Sequence, residues 1–538
     1  MHCCIFYHNM SSLPRIPFAT PRKLTTLSAI AAAAMLLSAC GTVQVQPLTD
    51  TDVRQQAAAD RQAAFAGVPP LAGKLSMDEA VARALKYNLD RRTRLMEEAL
   101  AMNQLDTANL DMLPRVMANA GYTWRDEELI TRSVDSVTGL PSLANPYISS
   151  ERSRPAYSLG TTWNMLDFGL SYYGAKQAAS RVGIAAERRR KAMHVLVQDV
   201  RSAFWRTVSA QKLRDEVRGT IDLAEAALQD ARKVEAERLR SPVDTLRYQR
   251  QLLENLRLLE SIEQELASGR IELAALINAP QDAEFEVVEP ADGADPTMLE
   301  VPASQMEELA VTQNADLREH FYNTRIALDE TRRTMVRMFP NLSFNYDLRY
   351  DSDKYLINNR WNEAGVHLSY NLMNLFTGPA QKRLAEAGVA LADQRRVASQ
   401  MTVITQVHLA RLQYQIAYRQ YLRADQIWQA DAKIAEHVKN REAAEAQSKL
   451  EQVANGTTAI LSLLRRYQSL AQLQSAGSRL QATVGLEPVL GSVSELSLEQ
   501  LTGEVGNSMR NWSRALTKPA AAPATAAPAA APAAAPAK

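Results

Sequence analysis

This 538-residue sequence contains three cysteines and seven histidines, side chains that can bind a metal ion or act as nucleophiles. The histidines are scattered, and none has metal-ligand spacing to a cysteine or to a cluster of carboxylates. The sequence also has no phosphate-binding loop and no nucleophile elbow. It therefore predicts neither an enzyme nor a cofactor or metal site. With 61 basic and 60 acidic residues, the chain gives no electrostatic reason to expect nucleic acid as a partner.

Cys40 is the thiol whose surroundings indicate a specific reaction. It ends the stretch LSAC, which follows a basic pair and a short apolar run. This pattern resembles a bacterial lipoprotein signal, in which small residues admit the peptidase and the thiol takes the lipid. We expect residues 1–39 to be removed and Cys40 to carry the acyl anchor, palmitate included; Gly41 is typical of sorting to the outer membrane. The alternative is an ordinary signal peptide with an incidental cysteine.

Strict alternation of apolar and polar residues marks the sequence NLSFNYDLRYD at 341–351. This period is typical of a β-strand, and similar patterns predict strands near 115–125, 156–166 and 364–373. Each has about ten residues, the length of a tilted membrane strand. No apolar run after Cys40 is long enough for a transmembrane helix, so any crossing would be made by strands. The aromatic residues predicted to face lipid are Tyr122, Trp124, Tyr157, Trp163, Phe344, Tyr346, Tyr350 and Tyr370. Burial of this face under helices of a soluble domain is the alternative.

Two halves of the chain share one pattern. The stretch NMLDFG around Phe168 resembles MNLFTG around Phe376, an offset of 208 positions, and the same offset joins other matching residues. Each half reads as a helix, two strands and then two long helices, predicted over 168–278 and 376–485. Leucines at 252, 256, 259, 266 and 273 have the spacing of a coiled-coil seam. The basic stretch at 188–191 is interpreted as a solvated helical face.

These patterns divide the sequence into seven segments. We predict a signal peptide at 1–39, an extended lipid-anchored segment at 40–73, a first repeat at 74–280, an inter-repeat linker at 281–300, a second repeat at 301–490, a C-terminal segment at 491–517 and a disordered tail at 518–538. The linker is rich in proline, glycine and acidic residues, which is typical of a loop. The tail is almost pure alanine and proline.

Four strands are too few to close a membrane barrel, because the smallest such barrels need about eight. Open strand edges in hydrocarbon would leave backbone groups unpaired at a large energetic cost. Other copies of the chain must therefore complete the sheet. Two copies would leave little lumen, since barrels of about eight strands are filled by side chains. We predict a homotrimer, in which three sets of four strands form one barrel.

The whole arrangement resembles the TolC family of outer-membrane factors, in its lipoprotein branch. The resemblance is carried by LSMDEAVARALKYNLD at 75–90, the strand starts after Pro114 and Pro340, MLDFG and NLFTG after the second strand of each half, and LQATVGLEP at 480–488. It covers about residues 74–490. It implies a mainly α fold with a membrane β-barrel: a trimer with twelve barrel strands and a tunnel of twelve periplasmic helices, with 491–517 as an equatorial segment.

The same resemblance implies a function and a set of partners. A trimeric outer-membrane channel-tunnel would conduct substrates outward from a periplasmic adaptor and an inner-membrane pump, for efflux of the resistance-nodulation-division type. Its gate would lie at the helix tips, where Asp244 and Glu451 are the candidates by position. Two alternatives stay open. One is an exit duct for type I protein secretion, and the other is a lipid-anchored periplasmic coiled-coil scaffold without a pore.

Overall fold

The computed structural model of this chain describes residues 47–71, 73–132, 134–141, 146–237, 241–280, 283–290, 296–443, 449–486, 493 and 495–517. The predicted signal peptide, the lipid-anchor candidate Cys40 and the Ala/Pro tail lie outside the described residues. The chain divides into two units, the first ending at Ala66 and the second beginning at Gly67. Each unit is described by itself.

Within its described residues, the first unit contributes the helix α1 (Asp50–Ala64), where the sequence predicted an extended segment over 40–73. The helix forms because its start is capped and its interior is rich in alanine. The Thr49 hydroxyl accepts the N–H of Asp52 at 3.2 Å, and the Asp52 carboxylate accepts the N–H of Thr49 at 3.2 Å. This reciprocal capping box satisfies two backbone donors that the first turn leaves free. None of the residues of α1 is buried.

The second unit contains the remaining elements. In chain order they are β1 (Gly73–Leu75), α2 (Met77–Tyr87), α3 (Leu89–Leu110), β2 (Arg115–Trp124), β3 (Leu129–Thr131), β4 (Tyr147–Ser150), β5 (Ser153–Asn164), α4 (Met165–Ala236), α5 (Pro242–Leu276), β6 (Phe285–Val287), α6 (Thr297–Glu300), α7 (Ala303–Gln313), α8 (Ala315–Arg337), β7 (Asn341–Asp351), β8 (Arg360–Ser369), α9 (Asn374–Ala443), α10 (Lys449–Val484) and α11 (Leu498–Thr517).

Four of the strands form one antiparallel sheet in the order β2-β5-β7-β8. The last strand begins and ends four residues earlier than the sequence predicted, because β7 pairs Tyr350 with Arg360 and Asn341 with Ser369. A turn then ends it: the Asn371 side chain accepts the N–H of Met373 at 3.1 Å, just before α9. Likewise β5 covers 153–164 rather than 156–166, since α4 already begins after Asn164. Alternation alone located the strands but did not fix where they end.

Two long helices, α4 with 72 residues and α9 with 70, run through the whole helical part. At 1.5 Å per residue each is about 105 Å long. Near the sheet, the helices contact one another in the order α3-α4-α8-α9. Towards the far end, α5 and α10 replace α3 and α8, and the order becomes α5-α4-α10-α9. The second unit therefore contains a layer four helices wide at both levels, in which α4 and α9 are shared.

The predicted leucine seam of α5 packs against α4. Leu252 and Leu256 lie in one buried cluster with Leu228 of α4. Leu259 is fully buried in a second cluster that also contains Trp205 of α4. Spacings of three and four residues place the leucines on one face of the helix. Burial of each leucine contributes about 2 kcal/mol, so this seam holds the shorter helix on the longer one.

The predicted linker at 281–300 is not a simple loop, because it contains β6 and α6. Strand β6 pairs in parallel with β1, which precedes the first helices of the second unit. Gln211 of α4 binds the strand from the side: its Oε1 accepts the N–H of Val287 at 2.8 Å, and its Nε2 donates to the Val287 carbonyl at 3.2 Å. Composition predicted a loop from proline and glycine, but pairing with a distant strand outweighs local preference.

The basic run at 188–191 is only in part the solvated face that the sequence predicted: the side chains of Arg188 and Lys191 are more than half exposed, whereas those of Arg189 and Arg190 are less so. Successive helical residues point about 100° apart, so four in a row face almost every direction around α4. Their partners are Glu319 for Arg188 at 2.7 Å, Glu98 for Arg189 at 2.6 Å, Glu187 for Arg190 at 2.7 Å and Asp316 for Lys191 at 2.8 Å. We call these four pairs the ion-pair belt. It connects α4 to α3 and α8.

Because α4 and α8 approach each other closely at Gly183, a methyl group added there is expected to destabilise the fold. A Cβ added at Gly183 would lie 2.6 Å from the ring of Tyr322, so the ring would have to move. We expect Gly183→Ala to lower the free energy of unfolding by about 1–3 kcal/mol. Gly174→Ala is the control in the same helix, because nothing lies within 4 Å of its added Cβ. The control should gain up to about 1 kcal/mol from helix propensity. Urea unfolding followed by circular dichroism distinguishes them, and equal effects would contradict the close contact.

Candidate functional site

The four-stranded sheet has two chemically different faces. The register places Tyr157 opposite Tyr350 and Trp163 opposite Phe344, so apolar residues of neighbouring strands form continuous rows. The ring centroids of these two pairs are 6.0 Å and 6.3 Å apart, and both pairs are stacked. We call this side the aromatic face. Its large side chains are exposed, as Tyr122 and Trp124 show with 67% of their surface accessible.

Seven of the eight aromatic residues predicted to face lipid lie on the strands of this face. Tyr122 and Trp124 lie on β2, Tyr157 and Trp163 on β5, and Phe344, Tyr346 and Tyr350 on β7. Tyr370 does not belong with them, because β8 ends at Ser369 and Tyr370 lies in the turn that follows. The prediction for Tyr370 was wrong about the strand, since it assumed that the alternation continued to residue 373.

The opposite face of the sheet is polar apart from Met117 and Trp361, and it carries its own ion pairs. Arg349 of β7 lies between two acids, 3.5 Å from Asp347 and 3.2 Å from Glu363 of β8. Asn119 of β2 donates to the Ser158 hydroxyl of β5 at 3.3 Å. Side chains of the two faces alternate along every strand, so one surface suits contact with water and the other contact with apolar groups. This division is what a wall between water and lipid requires.

A buried ion cluster connects β5 and β7 at the end of the sheet that lies away from the helices. Arg154 donates to the carboxylates of Asp351 at 2.9 Å and Asp353 at 3.3 Å. The Asp353 carboxylate also accepts the N–H groups of Tyr355 and Glu151. The side chain of Asp353 is only 3% exposed, so each of these donors compensates for water that it has lost. No local pattern in the sequence predicted this cluster, because it joins residues about 200 positions apart.

Strands β2 and β8 form the two edges of the sheet, since each pairs with one neighbour only. The outer helices of the layer lie on the same two sides as these edge strands. On the β2 side lie α3 and α5, and on the β8 side lies α9. These outer helices expose large apolar residues: Met96, Leu100 and Leu110 on α3; Val243, Leu246 and Leu253 on α5; and Leu391, Leu409, Ile427 and Ile434 on α9. Both lateral edges of the second unit are therefore incomplete in the described chain.

The two gate candidates lie where the returning helices begin. Asp244 is in the first turn of α5, with its side chain 70% exposed and 3.8 Å from Arg247. Glu451 is in the first turn of α10, where its carbonyl accepts a hydrogen bond from Asn455 at 2.7 Å. An acid in the first turn also stabilises its own helix through the helix dipole. The residues between the long and the returning helices, 238–240 and 444–448, lie outside the described ranges.

Across the described ranges, no three His, Cys, Asp or Glu side chains come together as a group able to hold a metal ion. None of the helices described combines the length and hydrophobicity that a membrane-spanning helix needs.

Comparison by sequence, both with known families and with curated proteins, finds no match. Comparison by structure does. The CmeC outer membrane channel of Campylobacter jejuni matches with a TM-score of 0.61 and 12% identity, over 80% of this chain and 89% of that one. The outer membrane protein VceC of Vibrio cholerae matches with a TM-score of 0.56 and 13% identity, over 76% and 96%.

The open-state MtrE outer membrane channel of Neisseria gonorrhoeae matches with a TM-score of 0.53 and 16% identity, over 75% and 88%. This chain has the fold of the outer-membrane channels. The resemblance to the TolC family that the sequence predicted is confirmed at the level of the fold. The mainly helical structure, with a small sheet at one end, agrees with the long helical tunnel of these channels.

A buried histidine within the helical part predicts acid sensitivity. His194 of α4 is 7% exposed, and its Nε2 has no hydrogen-bond partner among the described residues. Burial, together with the nearby charge of Arg190, lowers the pKa of His194 from 6.5 to about 4. The unfolded chain therefore takes up a proton first as the pH falls. The stability contributed by neutral His194 is complete above pH 6.5 and is lost progressively towards pH 4.

We expect the free energy of unfolding to lose about 2 kcal/mol through His194 between pH 7 and pH 5. The variant His194→Gln should remove this part of the pH dependence. His437→Gln is the control, because His437 is exposed on α9 and should leave the pH dependence as in the wild type. Urea titrations at the two pH values measure the difference. An unchanged acid response in His194→Gln would refute the assignment.

Proposed function

We propose that this protein is an outer-membrane channel-tunnel, in which the sheet contributes to a membrane barrel and the long helices to a periplasmic tunnel. The single observation that supports this most is the pair of incomplete edges on a sheet with one aromatic and one polar face. In a ring of copies, β8 of one chain would pair with β2 of the next. The aromatic face would then meet lipid, and the polar face would line a water-filled bore.

The two edges are different surfaces, which favours a closed ring. One edge presents β2, α3 and α5, and the other presents β8 and α9. Contact between unlike edges is heterologous, and repetition of such a contact closes a ring when the rotation between copies allows it. We propose three copies, with twelve strands in the barrel and twelve helices in the tunnel. Two copies would give about eight strands, and side chains fill a barrel of that size.

The membrane anchor and the partners complete the proposal. Cys40 would carry the lipid that holds each copy at the outer membrane before and after assembly. At about 105 Å, the long helices are long enough to cross much of the periplasm. A periplasmic adaptor and an inner-membrane pump would dock at the far end and deliver substrates for efflux, of the resistance-nodulation-division type. Two alternative functions are an exit duct for type I secretion and a pore-free, lipid-anchored scaffold.

Disruption of one edge tests the ring. Ile427 on α9 is 51% exposed and belongs to the apolar edge that a neighbouring copy would cover. We expect Ile427→Arg to weaken assembly at least about tenfold, because a charge would be buried without a partner. Ile357→Arg is the matched control: Ile357 is 98% exposed in the loop between β7 and β8, outside either helical edge.

Native mass spectrometry of the detergent-solubilised proteins gives the number of copies directly. The wild type and Ile357→Arg should be trimers, with Ile427→Arg largely monomeric. A Cys40→Ser protein that is monomeric and soluble without detergent would exclude the channel and favour the scaffold. Single-channel currents in planar bilayers would then be absent as well.

Charge at the helix tips provides a test of the gate. We expect the double variant Asp244→Ala with Glu451→Ala to raise single-channel conductance roughly twofold, because a ring of acids at a constriction controls ion passage. The control replaces two acids far from the tips, Glu260→Ala with Glu386→Ala. If all three proteins conduct equally, neither Asp244 nor Glu451 belongs to the gate, and their role is limited to stabilising the first turns of their helices.

A further inference from the structure

Arg360 is the only charged residue on the aromatic face of the four-stranded sheet. It begins β8, and the register places it opposite Tyr350, whose side chain belongs to that face. Apart from it, the strands place only apolar residues and uncharged polar ones, such as Asn362, on this side. A cation on a surface that is otherwise suited to lipid is costly unless it meets an anion or water.

The guanidinium of Arg360 has no carboxylate partner within the described part of the chain. It lies over the ring of Tyr350, with 5.6 Å between Cζ and the ring centroid. The side chain is exposed. Nearby charges are already engaged: Arg154 binds Asp351 and Asp353 in the buried cluster. Arg360 therefore keeps its full set of donors for a group outside the chain.

A groove of about 660 Å³ crosses the aromatic face next to this guanidinium. Its walls are two cross-strand rows of side chains on that face: Ala120, Tyr157, Tyr350 and Arg360 on one side, and Ala118, Leu159, Leu348 and Asn362 on the other. The residues between these rows, Asn119, Ser158, Arg349 and Trp361, also line the groove, and the register assigns their side chains to the polar face. The two walls are thus apolar along their length, with a cation and an amide at the β8 end.

The position of Arg360 in the membrane follows from the topology. The helices α3, α4, α8 and α9 all adjoin the same end of the sheet, and the loop at 352–359 that precedes Arg360 lies at the other end. If the helices are periplasmic, as proposed above, Arg360 lies at the outer surface of the membrane. Tyr122, Trp124 and Tyr157 belong to the same end of the aromatic face, where aromatic residues of membrane barrels meet lipid headgroups.

We propose that Arg360, with Asn362 and the adjoining groove, binds the phosphorylated headgroup of an outer-leaflet lipid. The charge is complementary, since guanidinium forms short, charge-assisted hydrogen bonds with phosphate oxygens. The apolar groove would hold an acyl chain of the same molecule, and the stacked Tyr157–Tyr350 pair would form one side of its path. This inference rests on the proposed outer-membrane location, because only there does the aromatic face meet lipid.

Lipid titration of the assembled full-length protein tests the site, with native mass spectrometry as the readout. The probes are bis-phosphorylated lipid A and the same lipid without its phosphates. We expect the wild type to retain the phosphorylated lipid preferentially, Arg360→Gln to bind it about tenfold more weakly, and Arg360→Lys to lose less than Arg360→Gln. Arg115→Gln is the matched control, because it removes the same charge from the polar face of the sheet, at a position that does not line the groove.

Three results would overturn the proposal: equal binding by the wild type and Arg360→Gln, an equal loss in Arg115→Gln, or displacement of the lipid by millimolar inorganic phosphate. The last would make the site a general anion site. Currents of wild-type size in planar bilayers confirm that each variant has assembled. Lipid retention is measured without current, so a protein that binds the lipid but does not conduct would refute the channel and leave the lipid site standing.

Discussion

Both edges of the four-stranded sheet, β2 and β8, have a row of backbone groups that no other described strand pairs. In water such groups are hydrated, but against hydrocarbon each unpaired group costs several kcal/mol. The aromatic face exposes large apolar side chains, so contact with hydrocarbon is more favourable for this sheet than contact with water. The edges must therefore be paired if the face meets lipid, and the strands that pair them have to come from other copies. The proposed ring, bore and lipid site all depend on this requirement.

The helical part also has two incomplete edges, but these expose apolar side chains rather than unpaired backbone groups. On the β8 side the edge continues along α9 at both levels, and on the β2 side it continues along α3 and then α5, each with exposed apolar residues. A ring closed at the sheet would then be closed at the helices too. Within one chain, the seam of α5 and the ion-pair belt of α4 hold the four-helix layer together. The Glu187 carboxylate, 6% exposed, accepts from both Arg190 and Arg318, so the belt is most strongly desolvated there.

The two faces of the sheet differ in whether their arginines are compensated by acids of the same chain. On the polar side Arg349 is compensated by Asp347 and Glu363 within the chain, whereas Arg360 on the aromatic side is not. Arg349 and Arg360 lie on neighbouring strands but belong to opposite faces of the sheet, and only Arg349 is compensated by acids of the same chain. The buried cluster around Asp353 holds the strand ends in place beside Arg360. The Asp353 cluster therefore orders this end of the sheet with residues of the chain itself. The charge of Arg360 remains uncompensated, which indicates a partner outside the chain.

Periodicity in the sequence determined which elements form, since side-chain alternation and leucine spacing reflect local geometry that the backbone imposes wherever the chain lies. Strand β7 and the long helices were predictable for this reason. Tertiary structure decided what local pattern cannot encode. The pairing of β7 fixed the start of β8, and so placed Arg360 on the aromatic face and Tyr370 outside the sheet. The ion-pair belt, the β1–β6 pairing and the Asp353 cluster likewise join residues far apart in sequence, and only the packed chain brings such groups together.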